Sequence, residues 1–220
     1  MGKITVATYK PWDIEKIAQG FLSRYWRASE RWVDIEAIIE RDLDVLIDYT
    51  SLQAPTILGC IARRDSDGRF VIVVQEELPD QRPSQYRFTL AQEVGHLLLH
   101  RPILESARTA EDAARLHQDL TDEQYQKMEA DANRCAGAIL LPEANFRAAV
   151  HESYETWFHQ ISQVTRVLAE DLLQRIVRDA AKAFEVSFDA ARIRLERYPL
   201  SLRDAILQSA NRGWPEIREG

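Results

Sequence analysis

Cysteine, glycine, proline and long apolar runs are all scarce in this sequence, and each scarcity excludes something. Two cysteines, Cys60 and Cys135, cannot build a disulfide framework, and neither lies in a C-x-x-C pair. A reducing, cytoplasmic compartment fits that usage. Eight glycines and eight prolines in 220 residues leave no stretch that reads as a flexible linker and no glycine-rich loop to cradle a phosphate. Apolar residues nowhere run for the roughly 18 positions a membrane-spanning helix requires. The opening Met-Gly-Lys-Ile-Thr-Val lacks the apolar core of a signal peptide. Positive charge is also short: Lys and Arg number 28 against 35 Asp and Glu, a net charge of −7. That balance argues against a chain whose whole surface binds nucleic acid and leaves room only for a local basic patch.

What is present is an ordinary globular composition, 45% apolar and 29% charged, enough for one generous domain or a domain with a small helical appendage. Asp13 is positioned to cap a helix whose Ile14, Ile17, Phe21, Leu22 and Tyr25 share a face. A second helix follows Asp34 with Ile35, Ile38 and Ile39. The period then changes to the alternation of a strand at Val45, Ile47 and Tyr49. Residues 56–63 and 69–75 are rich in Ile, Val and Phe, and Asp65-Ser66-Asp67-Gly68 between them is a turn sequence, so a β-hairpin is expected. A polar loop from Pro79 to Pro83, a helix over 85–100 capped by Ser84, a polar segment 101–121 and a helix from Asp122 to Leu141 follow. Pro142 ends that helix. Beyond it, 143–152, 155–167, 168–184, 188–198 and 201–210 all read as helix. The expected class is α+β: helices, a small antiparallel sheet, then a helical C-terminal region, divided as 1–150 and 151–220.

The 85–100 helix carries the chemistry. Gln92, His96 and His100 are spaced by four and stack on one face, with Glu93 on the neighbouring edge. A Glu-x-x-His pair on a helix suits metal hydrolysis, in which the imidazole holds zinc and the carboxylate takes a proton from bound water. Alone, the pair is equally a buried core histidine. A second segment, Glu129-Ala130-Asp131-Ala132-Asn133, places a carboxylate and an amide one turn apart on a helix whose small residues permit close packing. Glu129 could reach a metal and Asn133 could support a ligand.

Together, Phe88-Thr89-Leu90-Ala91-Gln92-Glu93-Val94-Gly95-His96 with Leu97-Leu98-Leu99-His100, then Glu129-x-x-Ala132-Asn133 and Leu140-Leu141-Pro142, resemble the ImmA/IrrE family of bacterial metallopeptidases. Val33-Asp34-Ile35-Glu36-Ala37-Ile38-Ile39 and the hairpin match that family's opening, so the likeness spans residues 30–145. The resemblance implies a zincin-like domain with an active-site helix pair and a gluzincin-like zinc site. In it His96 and Glu129 are ligands, Glu93 is the general base and Asn133 stands in a supporting position. It also implies a helix-turn-helix transcriptional repressor as the protein partner, inactivated by cleavage or otherwise, in mobile-element, stress or phage-defence regulation.

One position departs from the pattern. Where the family has its first histidine ligand this chain has Gln92, and an amide oxygen is a poorer zinc donor than an imidazole nitrogen. Three outcomes stay open: Gln92 ligates through its oxygen, His100 is recruited, or no metal binds. The function is accordingly a zinc endopeptidase or a metal-free pseudo-peptidase serving as a binding module. Cys135 and Cys60 read as small buried apolar residues. Around Val186-Ser187 the C-terminal helices resemble a helix-turn-helix unit. Their seven basic residues against five acidic ones over 173–204 are a small excess for DNA, so packing or a protein partner is the expected role.

Overall fold

The computed structural model describes residues 6–27, 30–52, 57–64, 66–106, 119–158, 166–197 and 202–209. They form two compact units, Met1–Leu140 and Leu141–Gly220. Among the described residues no helix is long and apolar enough to cross a membrane.

The first unit contains α1 (Pro11–Tyr25), α2 (Ile35–Asp42), β1 (Val45–Thr50), β2 (Gly59–Arg63), β3 (Phe70–Gln75), α3 (Leu78–Gln81), α4 (Pro83–Leu99), α5 (Arg101–Ser106) and α6 (Asp122–Leu140). Asp34 caps α2 by accepting from the Ala37 amide at 3.1 Å, as its sequence position predicts. Asp13 does not cap α1. Pro11, whose fixed φ suits a first turn, starts the helix two residues earlier. Asp13 then sits at the third helical position and accepts from the Lys10 amide at 3.0 Å. Proline explains two further corrections. Pro79 lies inside the short helix α3, not in a loop. Pro83 opens α4, so Ser84 is within the helix and Arg82 precedes it.

The hairpin is present: β2 and β3 are antiparallel, with Ile61 opposite Ile72. Its turn needs Gly68, whose φ of 72° is open to glycine at little cost. The Gly68 carbonyl accepts from Arg63 Nε at 2.9 Å. The expected antiparallel sheet is in fact mixed. β1 pairs in parallel with β3, Ile47 opposite Ile72, in the order β1-β3-β2. Once β3 folds back on β2, its free edge is the place left for β1. Along β3, Phe70, Ile72 and Val74 are buried in alternation and turn one face of the sheet toward the core.

α4 packs on β2 and β3 and, over much of its length, on α6, which also receives α1. Leu90, Ala91, Val94, Ala132, Cys135, Ala136 and Ile139 are almost wholly buried in this layer. The approach is close at Gly95, where a Cβ would stand 2.9 Å from the Ala132 carbonyl oxygen and 3.2 Å from Cys135 Cβ. Cys135 is the small buried residue expected of it. Cys60 is not: it is exposed, because it pairs with Val73 on the face of the sheet opposite the one that Phe70, Ile72 and Val74 turn to the core.

The second unit is helical: α7 (Glu143–Phe158), α8 (Arg166–Ala183), α9 (Phe188–Arg197) and α10 (Leu202–Ser209). α7 is continuous where two helices are expected. Ser153, at the expected break, turns its hydroxyl to Asp179 of α8 at 2.6 Å, and Trp157 Nε1 donates to the same carboxylate at 2.8 Å. α8 and α9 are joined by a short turn in which Glu185 has a left-handed φ of 52°, and Ser187 caps α9 at the Ala190 amide. Leu172, Ile176, Phe184, Leu195 and Ile206 form this unit's core. The segments 107–118 and 159–165, with His117 and His159, lie outside the described residues.

Two glycines test this packing. Gly95→Ala is expected to destabilise by about 1–3 kcal/mol, since the added methyl collides with backbone as well as with a side chain. Gly20→Ala in α1, where nothing lies within 4 Å of the place a methyl would take, should stabilise by about 0.5–1 kcal/mol. Urea unfolding of the two variants beside the parent measures both.

Candidate functional site

α4 and α6 bring four of the sequence-selected residues together. His96 Nε2 stands 3.3 Å from Glu129 Oε1, and Gln92 Nε2 donates to Glu129 Oε2 at 2.9 Å. The helical spacing of Gln92 and His96 is what lets two side chains from one helix reach a single carboxylate on the next. Glu93 is buried beside them, 5% exposed, and accepts a hydrogen bond from the Ile61 amide of β2. In an antiparallel ladder peptide groups alternate between facing the partner strand and facing away. The Arg64 amide donates to the Arg69 carbonyl, and the Leu58 carbonyl accepts from the Gln75 amide. Even-numbered residues of this strand therefore face β3, and the Ile61 N–H points off the sheet edge. Asn133 is not brought to the cluster. It is exposed, and among the described residues it makes no hydrogen bond to Gln92, His96 or Glu129.

His100 extends the stripe inward. Its Nδ1 lies 3.2 Å from His96 Nδ1, it is 1% exposed, and its Nε2 has no partner among the described residues. Sequence spacing predicts the shared face but not that the two ring nitrogens meet. Two further neighbours carry no motif. Tyr125, one turn before Glu129, is 41% exposed, and its phenol is raised in pKa by partial burial and then by the charges of Glu129 and Glu93. The thiol of Cys60 on β2 is raised in pKa by partial burial and then by the charge of Glu93. The i, i+4 relation to Glu129 is the one signal that could have found Tyr125.

The cluster separates its acids. Burial pushes the Glu93 carboxyl up to about 7; the Glu129 charge adds to that, while His96 and the Ile61 amide oppose it. Burial also acts to raise Glu129, yet the His96 hydrogen bond and charge, with the Gln92 hydrogen bond, hold it below the ordinary value. On His96 burial disfavours the cation, but the bond to Glu129 and the two carboxylate charges outweigh it and raise the pKa. His100 is pushed down to about 4 by burial and by the neighbouring His96. The arrangement sets a buried acid with a raised pKa beside a histidine–glutamate pair in which each partner favours the charged form of the other.

Zinc is the group the sequence pattern implies, and the donors present do not fit it. A catalytic zinc takes three protein ligands from His, Cys or carboxylate and keeps one place open. Among the described residues no three such side chains converge. Glu129 and His96 supply two. The third position presents an amide nitrogen, whose lone pair is delocalised and does not ligate, and that nitrogen is engaged with Glu129.

The Glu93 environment predicts a pH effect. Its ordinary value is 4.5 and its folded value about 7, so the folded state holds the extra proton between them. Stability contributed by this group is unchanged below the lower value and falls as pH rises through the window, reaching a penalty on the order of 3 kcal/mol above it. Glu93→Gln should therefore stabilise the protein at about pH 8 and leave it nearly unchanged at about pH 4. Urea unfolding under the two conditions reads the difference.

The chain matches the IrrE N-terminal-like domain, Peptidase_M78, over residues 41–196. No curated protein matches it. A Mycobacterium tuberculosis transcriptional regulator of solved structure is similar in fold, with a TM-score of 0.54 and 17% identity over 86% of this chain and 48% of that one. The chain thus spans about half that regulator's length, and the likeness is one of fold. With the family match covering well over half of its residues, the chain belongs to the ImmA/IrrE family of peptidase-like proteins, the Peptidase_M78 group.

Proposed function

We propose that this protein is a regulator of the ImmA/IrrE type that acts on a protein partner by binding, with the peptidase cleft of α4 and α6 retained as a metal-free recognition site. The partner class that the family resemblance implies is a helix-turn-helix transcriptional repressor. The observation that carries the reading is the engagement of both Glu129 oxygens, one near His96 Nε2 at 3.3 Å and one on Gln92 Nε2 at 2.9 Å. Hydrolysis by this fold depends on a carboxylate free to hold a metal, and here that carboxylate is already satisfied. Co-expression with a repressor encoded nearby tests the reading. The repressor should remain full length while its operator is released, seen by immunoblot beside a reporter. Shortened repressor that disappears in Glu93→Gln would sink it.

A second reading, a zinc endopeptidase, has one observation in its favour. The 3.3 Å between His96 Nε2 and Glu129 Oε1 is close to the ~3.4 Å that separates two ligands of one tetrahedral zinc. Glu93, with a value near 7, would suit a general base. Elemental analysis after purification without added metal or chelator distinguishes the two. The metal-free reading expects well under one zinc per chain, and the peptidase reading expects one, removed by Glu129→Ala.

The helical unit supports a protein partner in preference to duplex DNA. On α9, Arg192 is held between Asp189 and Glu196 at 3.1–3.3 Å, and Arg194 is buried with its Nε on the Leu141 carbonyl at 3.1 Å. Arg194 is therefore withheld from phosphate, and the partly exposed Arg192 is already paired with two carboxylates. A low-salt gel-shift titration should show weak binding with a shallow salt slope; tight binding that collapses with added salt would count phosphate contacts and contradict this assignment.

A further inference from the structure

We propose that Gln92 is the internal substitute for a metal ion in this domain: its amide ties α4 to α6 through Glu129, so the fold is indifferent to zinc, and a single substitution at this position returns zinc-dependent stability. The inference deepens the metal-free reading of the cleft and rests on it.

A metal between these helices would act as a cross-link, since a catalytic zinc draws donors from two helices to one point. In this chain the same two helices are joined at the same carboxylate by a hydrogen bond, Gln92 Nε2 to Glu129 Oε2 at 2.9 Å, beside the His96–Glu129 contact at 3.3 Å. Glu129 is half-buried, so a carboxylate oxygen left without a donor there would cost stability. The amide meets that need without adding charge. It also blocks the alternative. To ligate through its carbonyl oxygen, Gln92 would have to rotate an acceptor against Glu129 and abandon the donor that satisfies it. The amide thus holds the helix pair closed and at the same time removes the third ligand.

Geometry also says what reverses the arrangement. Gln92 lies one helical turn before His96 on the same face of α4. An imidazole at 92 has a reach similar to that of the glutamine amide and ends in a nitrogen lone pair, so it meets Glu129 and His96 as a ligand and not as a donor. A carboxylate at 92 does the same by another route: two acids facing each other across the helix pair repel, and a dication relieves them.

Thermal unfolding with and without micromolar zinc chloride, and with chelator, tests this on the full chain. The wild type should show the same Tm in all three conditions. Gln92→His should gain about 5–10 °C with zinc at a hundredfold excess over its dissociation constant, and Gln92→His combined with Glu129→Ala should lose that gain. Gln92→Glu, closest in size to the parent, provides a second route should the histidine variant fail to fold: its Tm should fall without metal and recover with zinc. A wild type stabilised by zinc and returned to baseline by Glu129→Ala overturns the inference, as do two folded variants that zinc leaves unchanged. The outcome separates from that of the regulatory reading. A zinc-stabilised wild type beside an intact repressor removes the substitute together with the metal-free site and leaves action by binding; a zinc-indifferent wild type beside a cut repressor removes action by binding and leaves the substitute.

Discussion

The close approach of α4 and α6 at Gly95 is the constraint on which the rest of this domain depends. A backbone carbonyl at Ala132 and the Cβ of Cys135 occupy the space a side chain at 95 would need. Only because the helices meet there do His96 and Gln92 come within bonding distance of Glu129. The same contact buries Cys135, whose thiol is pushed up to about 12 by burial and is in consequence inert packing, not a nucleophile. Function in this fold is therefore limited first by a steric fact. The site exists where two helices can touch without side chains between them.

Much of this was legible in the sequence because helical period and spacing carry it. Gln92, His96 and His100 at intervals of four had to share a face, and the small residues around Ala132 announced a helix that could come near. What was not legible depended on pairing or on competition between local signals. β1 alternates like any strand, and nothing in Val45–Thr50 states that it joins β3 in parallel. Cys60 has the surroundings of a buried strand residue, but its register with Val73 puts it on the outward face of the sheet. Asp13 and Ser84 have capping chemistry, and in both cases a nearby proline starts the helix earlier. Ser153 resembles a break until Asp179, from another helix, gives its hydroxyl a partner. Asn133, matched to the family by spacing alone, faces solvent.

The site itself divides in the same way. That Gln92 departs from a ligand histidine is visible in one letter. That its amide is taken up by Glu129 depends on two rotamers on separate helices, which no spacing rule supplies. The two facts differ in weight. A missing ligand weakens a metal site, whereas a missing ligand replaced by a donor to the remaining carboxylate gives that carboxylate an alternative to metal.

The charges of the cluster lead to the same place. Glu129 is favoured as the anion and His96 as the cation. Gln92 carries no charge, His100 titrates near 4, and Glu93 near 7. Each member of the Glu129–His96 pair thus favours the charged form of the other. A dication entering this set must break the amide bond to Glu129, and it gains only two strong donors in return. Where a third strong donor is present the exchange is favourable because that donor offsets the loss. In this chain the amide bond weighs against the metal, and Glu129 takes its partners from Gln92 and His96 instead.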